Sequence, residues 1–145
     1  MTADAKSAPG RKLSKERITV MGCVNSTGGH KLPLMVIGRS KHPRCFKNMT
    51  LPKMHYRSSK NAWQTRDLFK EWFHKIFVPE VQDYLSRNKL PTKAVLLLDN
   101  ASAHGCEEEL KSSDRLISVI FFPPNTTAIL QPLDQNVIKS FFFVP

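Results

Sequence analysis

Two unbroken apolar runs constrain this chain more than anything else in it. AVLLLD (94–99) ends on an acid, and LISVIFF (116–122) follows it and is closed by Pro123-Pro124. Neither run alternates apolar with polar residues, and both have strand rather than helix length, so each reads as a strand buried on both faces. GCEEELKSS (105–113), between them, holds helix formers and sets Glu107–Glu109 in a predicted first turn, where the helix dipole favours acids and solvent bathes them. A strand, a helix and a second buried strand make a parallel unit, and an α/β fold is the natural container.

The rest of the chain fits that container. RITVMGCV (17–24) and KLPLMVIG (31–38) are β-rich runs flanking NSTGGH (25–30), a turn-forming stretch, so 17–38 reads as a hairpin with Pro33 near a strand start or edge. Residues 39–62 hold Pro43 and Pro52 and show no clear period. They read as an irregular basic segment with one short strand around 53–56. Thr65 is placed to cap a helix, with Asp67 at its positive end. Leu68, Phe69, Trp72, Phe73, Ile76 and Phe77 then mark one broad helical face, which reads as core. Pro79 is expected to kink or split this helix, with Val81, Tyr84 and Leu85 carrying the face onward. DQNVIKSFF (134–142) opens on a cap residue and reads as a last helix. Residues 1–16 read as a flexible basic lead-in to a domain over 17–145.

Composition narrows the function classes. No apolar stretch approaches the ~20 residues of a membrane-spanning helix, and the N-terminus lacks the apolar segment of a secretory signal. Cys23, Cys45 and Cys106 are odd in number and widely spaced, which argues for a reducing compartment and against a disulfide frame or a cysteine-rich zinc site. The net charge of +10 is lopsided: residues 1–60 carry thirteen Lys and Arg against two acids, whereas residues 61–145 carry nine against ten. Such asymmetry suits a surface that meets a polyanion, most often nucleic acid; a solvated tail is the plainer alternative for 1–17. Beyond that tail, Arg39, Lys41, Arg44, Lys47, Lys53, Arg57 and Lys60 are interleaved with His42, Phe46, His55 and Tyr56. These seven cations are the candidate nucleic-acid contacts.

Asp99 stands at the carboxyl end of a predicted central strand, where open α/β sheets bind ligands; an Asp there can equally cap the next helix. Asp134 opens a predicted helix after one helix, one strand and one loop, enough chain to return it beside Asp99. Two carboxylates meeting at a sheet edge can hold Mg²⁺ through oxygen ligands. Asn100 and His104 are candidates to position a water or a phosphate. The chain has no GxGxxG, no GK[ST] and no GxSxG.

Four separated blocks resemble one family. SAPGRKLSKERITVMGCVNSTGGHKLPLMVIGRSKHPRCFKN, AWQTRDLFKEWF, LLLDNASAH and FFPPNTTAILQPLDQNVIKSFF look like the pogo/Tigger/jerky branch of the DDE transposases, the branch that includes centromere-protein-B-like proteins. The resemblance implies a ribonuclease-H-like mixed sheet flanked by helices, here incomplete at the N-terminal strand. It matches Asp99 to the family's second acid and Asp134 to its third, and implies Mg²⁺ as cofactor. The family's first acid lies on a strand preceding the matched segment. Asp4, in a Pro/Gly-containing lead-in, is not assigned that role. The expectation is therefore a DNA-binding, transposase-derived domain with impaired catalysis, active in the nucleus. The alternatives are a working Mg²⁺-dependent DNA endonuclease, or a protein-interaction module that pairs with itself or a partner through an exposed sheet edge.

Overall fold

The computed structural model describes residues 17–48, 50, 53–124 and 133. The expected lead-in over 1–16, the expected helix over 134–142 and Asp134 lie outside the described residues. The hairpin forms as expected. β1 (Thr19–Met21) pairs antiparallel with β2 (Leu34–Gly38) in the register Thr19↔Ile37, and a Val24↔Lys31 bridge extends it toward the turn. Asn25 ties the turn: its Oδ1 accepts from the His30 amide (3.0 Å) and its carbonyl from the Gly28 amide (3.0 Å). β3 (Met54–Ser58) covers the short strand expected around 53–56 and lies parallel to β2, Leu34↔Met54 through Gly38↔Ser58. The basic segment is thus the crossover between two parallel neighbours. Tyr56 anchors it, donating its hydroxyl to the Ser40 carbonyl (2.7 Å) and meeting Phe46 edge-on at 4.9 Å. Gly38 makes room for this anchor, because a Cβ there would run into the Tyr56 hydroxyl.

Helix α1 (Arg66–Trp72) starts where Thr65 Oγ1 accepts from the Leu68 amide (3.3 Å). Proline at position 79 offers no N–H to the turn before it. A π-helical turn over Phe73–Phe77 precedes the proline, and α2 (Val78–Arg87) continues beyond it with Pro79 in its first turn. The segment therefore runs on through the proline, with the π turn absorbing the irregularity. The predicted aromatic face is core: Phe69, Trp72, Phe73, Ile76 and Phe77, followed by Val78, Val81 and Leu85, are buried. They form one cluster with Leu32, Met35 and Ile37 of the first sheet region and with Leu98, Leu110, Ile117 and Val119. Full burial of a side chain of this size contributes roughly 1.5–3 kcal/mol.

β4 (Ala94–Leu98) and β5 (Ile117–Phe121) pair in parallel, Ala94↔Ile117 through Leu98↔Phe121. Two expectations fail in this region. The strands are not buried on both faces: Leu98, Ile117 and Val119 face the core, whereas Val95, Leu97 and Ile120 are 53%, 55% and 51% exposed. Apolar residues on the outer face hide this alternation from any reading of hydrophobicity. Nor is 105–113 a helix. Gly105 takes φ +84°, and three-residue turns follow, with Glu109 N donating to Cys106 O and Leu110 N to Glu107 O. The described strands form a three-stranded mixed sheet, β1-β2-β3, and a separate two-stranded sheet, β4-β5. The fold is mixed α/β, as expected, but these five strands are not one continuous sheet.

Candidate functional site

Asp99 follows β4 directly, and beside it Phe122 N donates to Leu98 O (2.8 Å), so β5 ends alongside. Asp99 caps no α-helix among the described residues; the short 3-10 turn that follows, Ser102–His104, has Ala101 at its N-cap position. The Asp99 Oδ1 instead accepts a long bond from the Ala101 amide (3.4 Å) and stands 3.1 Å from His104 Nδ1, on that turn. That approach is at ion-pair distance but lacks hydrogen-bond alignment, since His104 Nδ1 has no bonded partner. The His104 ring is 15% exposed and lies against Phe69, centroids 4.5 Å apart and planes 14° apart. Burial pushes its pKa below the ordinary histidine value, and the neighbouring Asp99 charge opposes that shift without overcoming it. A neutral ring brings no positive charge to the carboxylate. Asp99 itself is 23% exposed and so open to an ion from solvent.

Carboxylate oxygens are the donors Mg²⁺ takes, so Asp99 fits as one ligand of such an ion. Among the described residues no group of three or more His, Cys, Asp and Glu could hold a metal ion. Asn100 is exposed next to Asp99.

A clamp that the sequence did not reveal holds the segment after the site. Arg66 on α1 donates its Nε to Glu109 Oε2 (2.7 Å), Lys70 Nζ lies 3.6 Å from Glu109 Oε1, and His74 Nε2 meets the Glu109 carbonyl (2.9 Å). Glu109 is thus not a solvated helical residue but the tie between the loop and α1. Gly105 is needed beside it, both for its positive φ and because a Cβ would crowd Arg66 and Glu109 at 3.1–3.3 Å. Local sequence carries no sign of this pairing, which spans 43 positions.

The Arg66 hydrogen bond and charge hold the Glu109 carboxyl below the usual carboxylate range. A depressed carboxylate stabilises the fold above its unfolded pKa, near 4.3, and that contribution fades as pH falls through the folded value. Urea denaturation between pH 6 and 3 should show stability dropping in the acid range. Glu109→Gln should flatten part of that drop while lowering stability at neutral pH.

The seven candidate cations divide. Arg39, Lys41, Arg44, Lys47, Lys53 and Lys60 are exposed, and among the described residues none has a carboxylate partner. Arg57 differs: its Nη2 donates to Glu71 Oε1 (3.1 Å) and its Nη1 to the Tyr56 carbonyl (3.0 Å), while Glu71 also pairs with Lys75. Its charge is already matched within the fold.

Comparison with known proteins decides the ancestry. The family model for the DDE superfamily endonuclease matches residues 15–142. The chain belongs to that family. It is 44% identical over 138 residues to the human Tigger transposable element-derived protein 7 (91% of this chain, 25% of the relative). It is 39% identical over 142 residues to the human Jerky protein homolog (97% and 25%) and 33% identical over 135 residues to CENP-B homolog protein 2 of Schizosaccharomyces pombe (88% and 24%). The chain therefore spans about a quarter of the length of each of these relatives. No solved structure matches. These DDE-family relatives establish the branch that the four sequence blocks suggested, the pogo/Tigger/jerky type.

Proposed function

We propose that the chain is a DNA-binding, transposase-derived domain of ribonuclease-H-like ancestry, working in the nucleus and contributing little catalysis on its own. The observation that carries this reading is the anchored basic crossover. Lys41, Arg44 and Lys47 are held out on the segment that Tyr56 fastens, exposed and without acidic partners among the described residues. An anchored display of unmatched cations suits a phosphate backbone, and membership of an endonuclease family supports a nucleic acid as the polyanion. The test is duplex binding across a salt series. Affinity falling steeply with salt supports the reading, and no binding at 50 mM salt overturns it. The antiparallel β1–β2 pair, the parallel β4–β5 pair and the helix sharing their core support the ribonuclease-H-like ancestry.

Mg²⁺, where bound, would be held by Asp99 and Asp134 and would stabilise charge on a phosphodiester. The chain's own part is to present the Asp99 carboxylate at the end of β4, with the His104 ring beside it. On the impaired-catalysis reading the 145-residue chain leaves supercoiled plasmid un-nicked in Mg²⁺. Robust nicking that disappears in Asp99→Ala would overturn the impaired-catalysis reading.

One observation favours a second reading, a protein-interaction role. Val95, Leu97 and Ile120 form an exposed apolar face on β4-β5, a surface type that often marks contact sites. Concentration-dependent self-association lost on Leu97→Lys would favour it.

A further inference from the structure

Arg17 lies two residues before β1, and Arg39 directly follows β2, the strand paired with it. Neither arginine has a carboxylate partner among the described residues. Both line a recess of about 340 Å³, whose other walls are Asn61 and Trp63. Trp63 is 61% exposed, whereas the only other tryptophan, Trp72, is buried.

The loop that presents Trp63 is fastened rather than loose. Ser59 N donates to Gly38 O (3.0 Å), Ser59 Oγ to Trp63 O (2.7 Å), Ala62 N to Ser59 O (3.0 Å) and Thr19 Oγ1 to Ala62 O (2.8 Å). At its centre Ala62 is fully buried at φ +57°, a conformation alanine adopts only at a cost. The fold thus accepts a strained residue next to an open indole that shares one recess with two arginines.

An aromatic face beside phosphate-binding cations is how proteins hold bases that are free of the double helix. A paired base offers no free face to the indole. The recess lies near the small end of ligand sites, large enough for one nucleotide and too small for a duplex. We propose that this recess seats one unpaired nucleotide of a DNA strand. The base stacks on Trp63, Asn61 meets its edge, and Arg17 and Arg39 take the flanking phosphates. The inference rests on the DNA-binding reading above and adds to it a preference for frayed or single-stranded DNA at this place.

The full chain should be titrated with a labelled oligothymidylate and, separately, a blunt duplex of equal length, following anisotropy and tryptophan emission. The single strand should quench Trp63 emission well beyond any effect of the duplex. Trp63→Ala should weaken single-strand binding about tenfold or more, exceeding any change in duplex affinity, with Trp63→Phe intermediate because a ring remains. The Arg17→Gln/Arg39→Gln double variant should make the single-strand salt slope shallower by about 1.4. Single-strand binding with silent emission and no sensitivity to Trp63→Ala would overturn this inference alone, as would binding of the duplex only. Failure to bind either DNA would overturn it together with the DNA-binding reading.

Discussion

Phe69→Ala is expected to cost about 3–5 kcal/mol, the range for emptying a large aromatic site in a core. The ring is fully buried on α1, 5.4 Å from Trp72 and stacked on His104 at 4.5 Å. Its ring neighbours come from its own helix and from a loop 35 positions on, so closing the cavity would need both to move. Small domains have only about 5–15 kcal/mol in total, so the variant should sit close to unfolding at room temperature. Urea denaturation gives the value from the midpoint and slope. Phe69→Leu keeps most of the volume and should lose clearly less. It removes the stacked ring all the same, so the His104 ring resonances should shift in both variants, linking core to site. A loss below about 1 kcal/mol in Phe69→Ala would mean that α1 does not brace the loop carrying His104.

How much of this was legible in the sequence depended on the range of the interaction that decides each element. The cap at Thr65 and the stripe from Leu68 to Phe77 depend on spacings of three and four residues, and both stand in the structure as read. The hairpin was legible because β-rich runs flank a turn-forming stretch. The parallel pairing of β3 with β2 was not, since a register such as Ile37↔Arg57 leaves no trace in either strand. At 105–113 local helix propensity pointed one way and tertiary contacts another. Arg66 and His74 capture Glu109, and Gly105 turns the chain left-handed, so the helix formers end in turns. The outer face of β4 misled for a different reason: exposed apolar residues are common, so Val95 and Leu97 say little about burial. Asp99 was placed correctly at the end of its strand. Its neutral neighbour could not be foreseen, because Phe69 sets the burial of His104 from 35 positions away.

Neutralising the basic crossover should have the largest effect on binding. If the six exposed cations each meet a phosphate, duplex affinity should fall about a thousandfold between 50 and 200 mM salt, because each contact releases condensed counterions. The Lys41→Gln/Arg44→Gln/Lys47→Gln variant removes three of them and leaves the Arg17–Arg39 recess untouched. Its salt slope should be shallower by about 2.7, making the loss over that range roughly fortyfold smaller. All three side chains are exposed and lack acidic partners among the described residues, so their removal should leave the denaturation midpoint nearly unchanged. Arg57→Gln should behave in the opposite way. Its guanidinium is tied to Glu71 and to the Tyr56 carbonyl, so stability should drop while the salt slope holds. A triple variant with the parent's slope would place the DNA contact elsewhere. A steep slope change in Arg57→Gln would mean that DNA displaces Glu71, making that ion pair part of the binding surface rather than of the fold.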